Sequence, residues 1–288
     1  MRVSISVSNY TWPGGPAAMR EHLGALVTAA DEAGVNTIWL PDHVIQADPR
    51  LSPEAEMLET YTTLGFIAAR TERVRLGSMV TPVSYRSPAV LVKAVTTLDV
   101  LTGGRAWFGV GAGYSEGEAR DMGLPFPATA ERFERLTETL KIAFQMWAGD
   151  TSPFEGTHYQ LGKPINSPAS LSRPHPPVLI GGTGEKKTLR LVARYADACN
   201  LSDMPDQGAT IRRKLEVLEG HCTDVGRPFA DIEKTASTMF FDGETPDAFA
   251  ERCGVLRGYG VEHVVLFHAW TVDSLAALGK LIEAAAEV

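Results

Sequence analysis

Eight times along this chain, a short run rich in β-branched and aromatic residues leads through a turn into a segment with helical periodicity. The runs fall at 3–8, 37–40, 74–81, 106–110, 178–180, 198–201, 234–241 and 264–267. The helical segments fall at 17–33, 54–70, 89–101, 129–147, 186–196, 211–223, 246–258 and 274–286. In the first segment Leu23, Leu26, Val27 and Ala30 share one face, and Gly34 marks its end. In the fourth, Phe133, Leu136, Leu140, Phe144 and Trp147 form the apolar stripe. Several strand-like runs (IWL, AWFGV, VLI, HVVLF) are almost continuously apolar, as parallel strands buried on both faces read. Eight alternations are the count of a (β/α)₈ barrel, although a doubly wound open sheet also accommodates eight strands. The expected architecture is α/β, a (β/α)₈ barrel in a single domain over 1–288. The irregular stretch 149–177, rich in Pro, Ser and Gly, is expected to be a lid or an interface segment.

Charge narrows the partners. The formal net charge is −8 and no basic stripe is present, which argues against nucleic acid and against an anionic membrane surface. No uninterrupted apolar run reaches the length of a membrane-spanning helix. The opening MRVSISVSNY alternates like a strand and has no basic start or apolar block of a signal peptide. Cys199, Cys222 and Cys253 form no CxxC pair and fit a reducing cytosol as buried small hydrophobes. The expected setting is cytoplasmic, with a small-molecule substrate and no metal.

In a barrel of this kind the reactive groups gather where strands end and βα loops begin. Asp42-His43 follows IWLP directly, and a histidine there can exchange a proton near neutral pH or donate a hydrogen bond to a ring. The plain alternative is a histidine satisfied by a loop carbonyl. The turn Gly181-Gly182-Thr183-Gly184 enters a helix, where backbone N–H groups and the helix N-terminus favour a phosphate. Lys186, Lys187 and Arg190 can add the local positive charge that the acidic chain lacks. The turn is not a Walker loop, because the GxxxxGK[ST] spacing is absent. Gly109, Gly111 and Gly113 are spaced GxGxG rather than GxGxxG, so a Rossmann nicotinamide site is disfavoured. Glycines clearing the base of a bulky planar ring explain that spacing as well. Tyr10, Trp12, Tyr114 and Trp270 suggest an apolar pocket wall, with core packing an equal alternative.

The motifs LPDH, LGSMVTPVSYRSP, GGRAWFGVGAGY, ERFERLTETLKIAFQMW and IGGTGEKKTLRLVARYADACNLS run from the second strand to the sixth. On these the chain resembles the luciferase-like monooxygenase superfamily, and within it the branch of oxidoreductases that use the deazaflavin coenzyme F420. The resemblance implies a luciferase-like barrel, a homodimer, and F420 as cofactor, with FMN the alternative. It implies that Asp42 and His43 border the deazaflavin ring. It places a non-prolyl cis peptide at Ser78-Met79, against the back of the ring, and sets Thr81 at the ring edge or ribityl chain. Gly113 would lie at the ring, Gly181, Gly182, Thr183 and Gly184 at the phosphate, and Lys186 or Lys187 at the acidic tail.

The chain also departs from that family's sugar-phosphate dehydrogenases. Those carry a glutamate where this chain has Tyr114, and an acidic residue near the end of the first strand, where it has Ser8-Asn9-Tyr10. Both departures argue against sugar-phosphate oxidation. The expected activity is hydride transfer between a deazaflavin and a small organic substrate, with His43 or Tyr114 handling the accompanying proton. The alternatives are an FMN-dependent monooxygenase served by a partner reductase, and a barrel that binds a cofactor without turnover.

Overall fold

The computed structural model describes residues 1–48 and 50–287. In chain order the elements are β1 (Arg2–Ser6), α1 (Pro16–Glu32), β2 (Thr37–Leu40), α2 (Thr60–Ala68), β3 (Arg75–Ser78), β4 (Thr81–Pro82), α3 (Pro88–Leu101) and β5 (Phe108–Gly111). Next come α4 (Glu116–Asp121), α5 (Thr129–Trp147), β6 (Phe154–Glu155), β7 (Gln160–Leu161), β8 (Val178–Ile180) and α6 (Thr188–Tyr195). The chain ends with β9 (Ala198–Ser202), α7 (Ala209–Val225), β10 (Glu233–Met239), α8 (Pro246–Gly258), β11 (His263–Phe267) and α9 (Val272–Ala286).

The main sheet runs β3-β2-β1-β11-β10-β9-β8-β5-β4, with parallel pairing throughout. β3 and β4 are two pieces of one strand, interrupted at Met79 and Val80. β3 also bridges to the strand on its other side through Leu76 and Ala106. There the Leu76 N–H donates to the Arg105 carbonyl at 3.0 Å, and the Trp107 N–H to the Leu76 carbonyl at 2.8 Å. This seam closes the ring. Counting the split strand once, eight parallel strands form the expected barrel, and an open sheet is ruled out.

Its interior holds Trp39 and Trp107, with ring centroids 5.5 Å apart, packed against Leu179, Ala198 and Val265. At the end of the barrel where the strands start, the His263 ring accepts or donates at Ser4 Oγ (2.6 Å) and at Glu233 Oε1 (2.6 Å). Ser4 has no exposed surface and His263 is 1% exposed, so this chain plugs the barrel floor, with Glu233 at its outer end paired to Arg2 (3.0 Å). Among the described residues no helix is long and apolar enough to cross a membrane.

Two boundaries differ from the sequence reading. The second helix starts at Thr60 rather than 54, because the Glu59 carboxylate accepts from the N–H groups of Tyr61 (3.2 Å) and Thr62 (2.7 Å) and caps it there. The short helix α4 was not expected at all. The stretch 149–177 also needs correction. It contains the β6–β7 hairpin, and two buried carboxylates on helices tie it down. Glu138 accepts from the N–H groups of Thr157 (2.7 Å), His158 (3.0 Å) and Tyr159 (3.0 Å). Asp99 accepts from the N–H groups of Leu171 (2.7 Å) and Ser172 (2.9 Å), and from the Ser172 hydroxyl (2.6 Å). The stretch is fastened along the outer helices and is not a lid.

Asp31 works the same way. A carboxylate in the last turn of α1 opposes the helix dipole, but Asp31 accepts from the N–H groups of Glu72 (3.0 Å), Arg73 (3.0 Å) and Val74 (2.6 Å) and so fixes the entry to β3. Burial pushes its pKa up, yet these N–H groups and the Arg73 charge outweigh burial and hold it below the ordinary value. A lowered folded-state pKa stabilises the fold fully above the unfolded value of about 3.9, and the gain is lost as pH falls through the folded value. Asp31→Ala is expected to cost about 3 kcal/mol near neutral pH, since three N–H donors lose a charged acceptor. The deficit relative to wild type should shrink on acidification below about pH 4, as read from urea midpoints. A deficit that stays constant with pH would refute this account.

Candidate active site

At the end where the strands finish, a cavity of about 530 Å³ opens between the ends of β3, β5, β8 and their loops. Its volume suits a small organic cofactor or ligand. One wall is backbone, from Gly111 to Gly113 and from Gly181 to Gly184, and Met79, Val80 and Phe267 supply apolar surface.

The interrupted strand explains the glycines. The cis peptide lies between Met79 and Val80, one bond later than the Ser78-Met79 position expected. Between β3 and β4, Ser78 and Val80 bulge toward the neighbouring strands. A Cβ on Gly109 would lie 1.8 Å from the Ser78 carbonyl oxygen, one on Gly111 would lie 2.9 Å from Val80 Cγ2, and one on Gly181 would lie 2.6 Å from Val80 Cγ2. The GxGxG spacing therefore clears the bulge of the third strand. Gly182 adopts φ +102°, a region that side chains disfavour, and turns the chain toward α6.

His43, buried at 7% exposure, lies on the cavity wall. Its Nδ1 is 2.6 Å from Glu118 Oε2, and its Nε2 is 3.1 Å from the Tyr114 hydroxyl. Glu118, on α4, also accepts from the Val44 N–H (2.7 Å) and the Tyr85 hydroxyl (3.1 Å). Burial alone would raise the Glu118 pKa, but the bonds from His43, Val44 and Tyr85 outweigh it and keep the carboxyl below its usual range. Burial, followed by the Glu118 charge, pushes the Tyr85 phenol well above its ordinary value. An ionised Glu118 demands a proton on His43 Nδ1. Neutral His43 therefore accepts at Nε2, where the Tyr114 hydroxyl donates. Tyr114 is 76% exposed and carries this hydrogen-bonded chain to the cavity mouth.

Asp42 points elsewhere. It is 2% exposed and bound by Arg86 through Nε (3.0 Å) and Nη2 (2.8 Å), and Arg86 Nη2 also donates to Glu59 (2.7 Å). The Arg86 guanidinium sits 4.7 Å from the Tyr61 ring centroid, and the Tyr61 hydroxyl meets Thr81 Oγ1 at 2.8 Å. Asp42, Ser78 and Thr81 are thus buried behind the wall and do not line the cavity. Lys186 is exposed and does not line it either. The basic side chain on the wall is Arg132. It donates to the Gly113 carbonyl and to Thr129 Oγ1 (3.0 Å), and stacks 4.1 Å from the Phe126 ring centroid. Lys187 lies 5.2 Å over the Phe133 ring.

His43, Met79, Gly113, Tyr114 and Gly181 to Gly184 do converge on the cavity, as the sequence led us to expect. Glu118, Arg132, Asn200 and Ser237 were missed. For Glu118 a signal existed: Ser115 followed three residues later by Glu118 is the spacing of a capping box. In the structure no side chain caps that helix, and Glu118 turns instead to His43. Tyr10 and Trp270 are core residues at 1% and 2% exposure and Trp12 does not line the cavity, so of the four aromatic residues expected there Tyr114 alone does, beside Phe133 and Phe267.

A closed eight-stranded parallel barrel, with its third strand interrupted and a glycine turn nearby, places the chain among the (β/α)₈ barrel proteins. The family model for the luciferase-like monooxygenase matches residues 1–284, and the chain belongs to that family. It is 31% identical over 207 residues to an F420-dependent glucose-6-phosphate dehydrogenase of Microbacterium testaceum (strain StLB037), covering 71% of this chain and 59% of that protein. It is 30% identical over 259 residues to a phthiodiolone/phenolphthiodiolone dimycocerosates ketoreductase of Mycobacterium sp. (strain JLS), covering 83% of this chain and 65% of that protein. The chain spans about half to two thirds of the length of the curated relatives it matches. A solved F420-dependent secondary alcohol dehydrogenase, bound to an F420-acetone adduct, superposes with a TM-score of 0.82 at 16% identity, over 99% of this chain and 98% of that one.

Proposed function

We propose that the protein is an F420-dependent oxidoreductase that transfers a hydride between the deazaflavin and a small organic substrate. The observation that carries this reading is the Glu118–His43–Tyr114 chain opening onto a glycine-walled cavity. The residues present fit such a group. Gly111, Gly113 and Gly181 present main chain on the wall, and Met79 and Val80 would give a flat ring an apolar floor. The Gly181–Gly184 turn at the start of α6, with Thr188 and Arg132 on the same wall, would hold a phosphate. When bound, a reduced deazaflavin supplies a hydride.

The chain's own residues manage the proton. Glu118 fixes the tautomer and the orientation of His43. His43 Nε2 takes up or releases the proton, and the Tyr114 hydroxyl connects it to the cavity mouth. A homodimer in the reducing cytosol belongs to this reading. It is supported by the exposed apolar side chains Val90, Leu101 and Ile165 along one groove, and by three buried free thiols.

Titrating the purified chain with F420 and with FMN, followed by tryptophan fluorescence, tests the assignment. F420 is expected to bind at least about tenfold more tightly, a difference of roughly 1.4 kcal/mol. Tight FMN binding with no response to F420 would overturn it.

A further inference from the structure

A second hollow of about 460 Å³ adjoins the cavity and shares Ser237 and Phe267 with it. It lies over the ends of β9 and β10, and its rim is unusually apolar for an exposed surface. Met204 is 48% exposed, Met239 37% and Phe241 54%. Exposed large apolar groups gathered around a concavity mark a contact surface.

The charge in this hollow is already accounted for. Arg252 is the basic residue on its wall, and its guanidinium is held by both oxygens of the nearly buried Glu244 (Nε to Oε1 2.9 Å, Nη2 to Oε2 2.8 Å). Its third edge donates to Thr238 Oγ1 (3.0 Å), and the face of the guanidinium lies 5.3 Å from the Phe241 ring centroid. The Thr238 hydroxyl in turn donates to Asp203 Oδ2 (2.9 Å). A phosphorylated ligand would therefore meet a neutralised arginine and the carboxylate of Asp203, with no free cation to offset its own desolvation.

We propose that this hollow is the substrate chamber and that it takes an uncharged, apolar organic molecule rather than a phosphorylated one. The inference rests on the hydride-transfer reading above, because the shared Ser237 and Phe267 place the chamber beside the cavity assigned to the deazaflavin. It separates this chain from the sugar-phosphate chemistry named for several of its relatives.

Saturation-transfer NMR on the full chain tests the proposal, with acetophenone as the neutral probe and glucose 6-phosphate as the anionic one. Each probe is measured with and without F420. Acetophenone is expected to bind wild type and to lose roughly tenfold in affinity in Phe241→Asp or Met239→Asp, the effect of setting a carboxylate against an apolar ligand. Both side chains are exposed and outside the main cavity, so F420 affinity should be unchanged in the variants and reports that they are folded. Glucose 6-phosphate is expected to give no transfer. The proposal falls if acetophenone does not bind, if neither variant weakens it, or if glucose 6-phosphate competes with it for the chamber. A chain that binds no F420 would defeat the cofactor assignment, while the cofactor-free measurements would still decide the chamber.

Discussion

His43→Ala is expected to lower deazaflavin-dependent turnover by about 10²–10⁴-fold, the range for losing a positioned general acid or base. Cofactor affinity should change only a few-fold, because the wall that would hold the ring and phosphate is built of Met79, Val80 and the glycines of the two strand-end turns. The reason for so large an effect is the wiring around the ring. Glu118 sets which nitrogen of His43 carries a proton, and Tyr114 faces the other nitrogen. Removing the imidazole disconnects a buried carboxylate from the cavity mouth and leaves no comparable proton carrier in between. Glu118→Gln separates positioning from chemistry. It keeps the side chain's volume but removes the charge, and should lower kcat between about ten- and a hundredfold with KM little changed, as for partners that orient a functional histidine. Single-turnover kinetics on both variants, with cofactor affinity measured in parallel, decide the matter. A His43→Ala enzyme with unimpaired turnover would remove this histidine from the mechanism.

Gly109→Ala should produce the largest loss of stability. The added methyl would sit 1.8 Å from the Ser78 carbonyl oxygen and 3.0 Å from its carbon, both of them backbone atoms in the barrel wall. Relief requires moving β3 or β5, and each is held by parallel pairing to its neighbours. The expected cost is about 3 kcal/mol or more, the upper end for overpacking. Weaker cofactor binding should accompany it, since the Met79–Val80 bulge forms the cavity floor. Gly220→Ala supplies the control: in α7 a Cβ at that position meets nothing within 4 Å. It should raise stability by roughly 0.5–1 kcal/mol through the ordinary helix preference for alanine. Coincident urea midpoints for Gly109→Ala and wild type would show that the clash is relieved at no cost.

The barrel was legible because its signal is periodic and local. Runs such as VLI and HVVLF and the 129–147 stripe each carry their own burial pattern, and the observed α5 and α8 start and end where the pattern does. The glycine turn and His43 were legible because strand ends are where such a fold places its groups. What escaped was pairing at a distance. Glu118 lies 75 positions from His43, and Arg86 lies 44 from Asp42, and nothing local marks either as a partner. Asp42 shows the limit most plainly. Its place beside His43 in sequence suggested a place beside it on the wall, but alternate residues leave a strand end in different directions. Lys186 was chosen for its charge near the turn. Arg132 takes the wall position because α5, far away in sequence, starts there.

The carboxylates of Asp31, Asp99 and Glu138 share a property that the barrel strands lack. Each grips main-chain N–H groups of a connecting segment and none of its side chains but the Ser172 hydroxyl and the neighbouring Arg73. A grip on the main chain is indifferent to which residue occupies the gripped position. The gripped positions can therefore change side chain, proline excepted, while the path stays pinned by three acids rooted in the helices. Gly156 beside them cannot, because a Cβ there would lie 2.4 Å from Glu138 Oε2. For anyone grafting a new binding loop onto the scaffold, these three acids are the positions to leave alone.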